Sequence, residues 1–130
     1  MNIALLGLAI PICIADLNAF VIPNIYNKML FYVALTHMAY LGFSQFTQFG
    51  ISLIILVALF LLRTGMGDLK LLGLILVTHS FSAVEYMAYV LVFALVHFMV
   101  ITAVHRTIPS KIALAPSIFI ALGTYLATGW

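Results

Sequence analysis

The chain has only three acidic residues among its 130. One of them closes the run Gly65-Met66-Gly67-Asp68, which is followed by Leu69 and Lys70. A second, Asp16, stands six residues before Ile22-Pro23-Asn24. Two carboxylates brought close together cannot both ionise cheaply, so they share a proton. A water held between them is then poised for attack on a peptide carbonyl. The charged member takes a proton from that water, while the protonated member hydrogen-bonds the carbonyl oxygen and later protonates the leaving amine. This is aspartic peptidase chemistry, and the shared proton belongs to the pair rather than to either residue. Gly65 and Gly67 suit the same site, because a backbone without Cβ can turn tightly and let an extended substrate approach.

Positioning such a pair is a question of membrane depth. The chain is 66% hydrophobic and 6% charged, with a mean hydropathy of +1.29, which leaves too little polar surface to coat a soluble globule. An integral membrane protein is expected. Its apolar runs lack strand-like alternation, and in hydrocarbon such runs must satisfy their own backbone as helices. Met1-Asn2-Ile3 lacks the basic region of a secretory signal, so the first apolar run counts as a mature helix. The single cysteine, Cys13, excludes an intrachain disulfide and a cysteine-based zinc site. No metal or cofactor is expected. The five basic residues are scattered, which argues against a nucleic-acid surface.

Polar breaks divide the chain into helices near 2–22, 29–46, 49–63, 68–82, 85–104 and 112–129. The expected fold is thus an all-α polytopic membrane bundle of about six transmembrane helices, forming a single domain over residues 1–130. Lys28 falls in the first loop, Arg63 and Lys70 flank the third, and Arg106 and Lys111 flank the fifth. The positive-inside bias then puts the odd loops in the cytoplasm and both termini outside, with Trp130 as an interfacial anchor. Helices three and four are expected to be short, at about 15 residues each, implying tilt or local thinning of the bilayer. Asp16 and Asp68 are separated by two crossings and therefore return to the same cytoplasmic side. Each carboxylate at membrane depth costs roughly 2.5–3.5 kcal/mol on insertion scales and is a functional candidate on that ground.

The segments Ala15-Asp16-Leu17-Asn18-Ala19-Phe20-Val21-Ile22-Pro23-Asn24 and Gly65-Met66-Gly67-Asp68-Leu69-Lys70 resemble the type IV prepilin peptidases, membrane aspartic peptidases with a Gly-x-Gly-Asp signature. Lys111 to Pro116, running on to Ala121-Leu122-Gly123, looks like that family's C-terminal segment. The resemblance implies Asp16 and Asp68 as catalytic residues. It also implies removal of a basic leader from pilin-like precursors at the cytoplasmic face of the cell membrane. The chain departs from relatives in having no Arg or Lys in Leu17-Asn18-Ala19-Phe20. It also lacks the cysteine-bearing cytoplasmic domain of larger, N-methylating members, and so is similar to the compact peptidase-only form of tight-adherence pilus systems.

Other readings stand beside this one. Asp68 could be a helix cap, and Asp16 could pair with Lys28. Lys70 either tunes the dyad or anchors topology. Pro23 and Asn24 are expected to end helix one and shape the turn, with Asn24 a further candidate for contact with the substrate backbone. Pro116 is expected to break the ladder of helix six, opening a substrate groove or merely kinking the helix. His37, His79 and His97 are expected to make interhelical hydrogen bonds, haem ligation being the alternative. Gly42, Gly50, Gly73 and Gly123 are expected at close helix contacts. Two further function classes use these residues: a small proton-coupled transporter or channel working through the same aspartates, and a bis-histidine cytochrome subunit.

Overall fold

The computed structural model describes residues 2–41, 46–62, 65–78 and 82–128. Arg63, His79, Gly42 and Trp130, which the sequence singles out, lie outside the described residues. Among the described residues the chain forms six α-helices and no strand: α1 (Asn2–Ala19), α2 (Asn24–Leu41), α3 (Phe46–Leu61), α4 (Met66–Thr78), α5 (Ala83–His105) and α6 (Ala115–Thr128). Each apolar run of the sequence has become one helix, in which the backbone groups bond to one another within the run. Among the described residues one helix, α5, is long and apolar enough to cross a membrane. Leu6–Ala19, Thr47–Leu61 and Ala115–Thr128 are shorter apolar helical stretches.

Several boundaries differ from the sequence reading. α1 ends at Ala19 rather than near residue 22, because Phe20 adopts a left-handed conformation with φ 51°. Its amide still donates to the Asp16 carbonyl at 2.8 Å, a left-handed close to the last turn. α2 begins at Asn24, directly after Pro23, so Lys28 lies within that helix and not in a loop. Proline has no donor to lose at a helix start, which is why the turn is so short. α6 begins at Ala115, leaving residues 106–114 as a non-helical connection behind Arg106, another left-handed residue with φ 52°. α3 and α4 run for 16 and 13 residues.

α4 and α6 form the middle of the bundle. α4 packs on α2, α3 and α6, while α6 packs on α1, α4 and α5. Leu71, Leu72, Ile75 and Leu76 of α4 meet Ile118, Phe119 and Leu122 of α6 in one core cluster, joined by Ile12 of α1 and Leu30 of α2. The most extensive pairing, α5 with α6, is fastened by tyrosines. Tyr86 is fully buried and donates its hydroxyl to the Ile118 carbonyl at 3.0 Å. The Tyr125 ring stands edge-on to Tyr86 and Tyr89, with centroids 6.2 and 5.9 Å apart, and its hydroxyl donates to Glu85 at 3.3 Å. Edge-to-face rings of this kind add to plain apolar burial. The outer surface is strongly apolar: Val84, Leu91, Val92, Leu95, Met99 and Val104 are all exposed along α5.

Of the glycines expected at close contacts, Gly73 meets Leu56, where an added Cβ would stand 3.3 Å from Cδ1, whereas Gly50 and Gly123 face open space. Tyr86→Phe removes a buried hydrogen bond and is expected to cost about 1 kcal/mol in equilibrium unfolding. Tyr89→Phe, whose hydroxyl meets Thr128 at 3.5 Å on an exposed edge, should change stability by less than about 0.5 kcal/mol in the same measurement.

Candidate active site

Both aspartates lie at the end of the bundle formed by the close of α1 and the starts of α2, α4 and α6. Asp16 stands in the last turn of α1 and is buried. Its Oδ2 accepts a hydrogen bond from the Ala115 amide at 2.8 Å, with the Leu114 amide alongside. The first four amides of any helix lack intrahelical partners and carry its positive end. Asp16, from the other end of the chain, supplies the acceptor that α6 lacks. The Ile118 amide donates to the Leu114 carbonyl at 3.1 Å, so Leu114 caps α6 and Pro116 sits in its first turn. There a missing N–H breaks nothing. The expectation that Pro116 interrupts the ladder of helix six is therefore corrected: it begins that helix, and it does not line the cavity described below.

Asp68 occupies the first turn of α4. The Gly65 carbonyl accepts from the Leu69 amide at 3.0 Å, making Gly65 the cap and Asp68 the third helical residue. The carboxylate folds back over the helix start, its Oδ2 standing 3.2 Å from where a Cβ on Gly65 would be. Its Oδ1 is buried and has no hydrogen-bond partner among the described residues. A negative charge suits this position at the positive end of α4.

The turn after α1 joins the two halves. Ile22, held extended ahead of Pro23, is buried against Gly67. A Cβ on Gly67 would meet the Ile22 Cβ at 3.2 Å and its backbone nitrogen at 3.5 Å. The glycine therefore lets the residue 20–23 turn close on the start of α4 and bring Asp68 towards Asp16.

Asp16, Pro23, Asn24, Gly65, Gly67, Asp68 and Lys70 line one cavity of about 510 Å³, which Phe20, Val21, Ile22 and Met66 complete. Seven of the eight residues named as catalytic or substrate-facing thus share one space, the exception being Pro116. Among the described residues, no group of three or more His, Cys, Asp or Glu is placed to hold a metal ion. A cavity of this size, with two carboxylates, a lysine and the exposed Gly65, can admit a water and an extended peptide.

Sequence reasoning missed two features. The backbone amides of α6 leave no trace in side-chain motifs. His97, on α5, has its Nδ1 buried without a hydrogen-bond partner among the described residues, in place of the interhelical bond expected there. His37 is half-buried on α2 and does not line the cavity.

Asp16→Asn keeps one acceptor oxygen for the Ala115 amide, whereas Asp16→Ala orphans that amide. Unfolding measurements should find the alanine variant less stable than the asparagine variant by about 1 kcal/mol. Gly67→Ala is expected to destabilise by about 1–3 kcal/mol through overpacking on Ile22, while Gly123→Ala, facing open space, should stabilise α6 by up to about 1 kcal/mol. A gain in stability for Gly67→Ala would contradict the close approach. No family model, no curated protein and no solved structure matches this chain.

Proposed function

We propose that the chain is a polytopic membrane aspartic endopeptidase that removes the leader from pilin-like precursors at the cytoplasmic face of the cell membrane. The observation that carries this reading is the shared cavity: Asp16 and Asp68 line one space together with both glycines of Gly65-Met66-Gly67-Asp68 and with Pro23 and Asn24.

Three features support a membrane setting. The apolar side chains exposed along α5 and on the outer sides of α1 and α3, such as Ile10, Ile14, Ile54 and Val57, form far more exposed apolar surface than soluble monomers tolerate. Lys28, Lys70, Arg106 and Lys111 all stand near the helix ends that hold the aspartates, while Glu85 is bonded to Tyr125 at the start of α5, the other end of the bundle. That asymmetry fits the positive-inside rule with the dyad cytoplasmic. Finally, α4 and α6 are short. Thirteen residues reach about 20 Å at 1.5 Å each, against a hydrocarbon core of about 30 Å. Helices that begin below the membrane surface leave a recess where water and a membrane-borne peptide can meet.

In that recess the ionised carboxylate takes a proton from water as the water oxygen bonds to the scissile carbonyl carbon. The protonated carboxylate hydrogen-bonds the carbonyl oxygen. Collapse of the tetrahedral species breaks the C–N bond, and the departing amine receives the proton. Asp16 is fixed by the Ala115 amide, and the buried Oδ1 of Asp68 has no partner among the described residues. The substrate class follows from the motif resemblance: the precursor carries a basic leader, is cut close to the membrane surface, and continues past the cut as an apolar segment.

Co-expression with a pilin-like precursor tests this reading through leader removal seen as a mobility shift. Wild type is expected to cleave, while Asp16→Asn and Asp68→Asn, with their helices still inserted, are expected to abolish cleavage. Retained cleavage in either variant removes that aspartate from the mechanism.

A further inference from the structure

A second cavity, of about 680 Å³, runs between α2, α3 and α4. It is lined by apolar side chains, Phe31, Leu35, Leu53 and Leu56 among them, and it shares Asn24 and Lys70 with the cavity of the aspartates. The two spaces therefore adjoin at the start of α4. Four lining residues break the apolar pattern: Asn24, Lys28 and Lys70, which are exposed, and Asn27, which is not. Asn27 is buried, at 7% exposure, and neither its Nδ2 nor its Oδ1 has a hydrogen-bond partner among the described residues. A buried amide left unpaired is costly, and sequences rarely keep one without a use.

We infer that this groove receives the apolar segment of the precursor beyond the scissile bond, with Asn27 pairing to a peptide unit of that segment. The inference rests on the peptidase reading and extends it to substrate recognition. A membrane-borne segment must be unwound near the cut to expose its bond, and unwinding frees backbone N–H and C=O groups that hydrocarbon cannot satisfy. A primary amide offers one acceptor and two donors, the complement of a peptide unit's donor and acceptor. The unpaired side chain and the unpaired backbone satisfy one another only when the substrate is bound. An acyl chain fits the apolar walls equally well but brings nothing for Asn27. Continuity with the dyad cavity at Asn24 and Lys70 sets the direction, since a chain leaving the aspartates past these residues enters the groove.

Asn27→Leu removes the unpaired amide while keeping similar bulk, so the variant should fold and melt no lower than wild type. With the intact precursor, its kcat/KM is expected to fall about tenfold, mainly through KM. With a peptide that ends just past the scissile bond, the loss should shrink below about threefold. A photo-crosslinking residue placed at Leu53 in the Asp68→Asn background should capture the precursor, while the same probe at Met99 on α5 should not. Equal cleavage of the intact precursor by Asn27→Leu and wild type overturns the inference, as do lipid adducts alone at Leu53 or equal capture from Met99. In each of those cases a difference between wild type and Asp68→Asn leaves the peptidase reading standing. Absence of cleavage by wild type overturns both.

Discussion

The hydrogen bond from the Ala115 amide to the Asp16 carboxylate is the contact on which this arrangement depends. It links positions 99 apart in sequence and is buried. A helix start inside an apolar bundle has no water to satisfy its amides, so α6 needs an acceptor there. By meeting that need, Asp16 is held by backbone, which cannot change rotamer. α6 then carries the constraint to α4 and α5 through Ile118, Phe119 and Leu122.

The second carboxylate is placed by packing. Asp68 follows the start of α4, and α4 starts where Ile22 rests on Gly67. Extensive packing between α1 and α4 is not what joins the pair; α6 and the residue 20–23 turn do so from either side. The result is asymmetric, with one carboxylate engaged by amides and the other holding a buried oxygen without a partner. Phe20 belongs to the same economy of structure. A non-glycine residue in the left-handed region costs on the order of 1–2 kcal/mol, and here it stops α1 so that the turn can reach α4.

Unsatisfied polar groups mark this end of the molecule. Asp68 and Asn27 line two adjoining cavities, and His97 on α5 holds a buried Nδ1 without a partner among the described residues. Folding alone gives no reason for such groups, since apolar replacements would remove their desolvation cost. Binding gives one, because a polar guest can satisfy them without displacing any bond the protein already makes.

The sequence by itself determined the helical class and the number of helices, because apolar runs of this length have few ways to satisfy their backbone. It also marked Asp16, Gly65, Gly67 and Asp68, since acids and paired glycines are conspicuous in so apolar a chain. Helix ends were less legible. Whether Pro116 breaks a helix or begins one depends on the acceptor offered to Ala115, and that acceptor comes from the far end of the chain. Lys28 moved from loop to helix because α2 could start directly after Pro23. Only the tertiary structure decided that the Ala115 amide meets Asp16, that Ile22 rests on Gly67, and that Asn27 is buried without a partner among the described residues. These are contacts between residues distant in sequence, and spacing along a single helix carries no information about what packs against it.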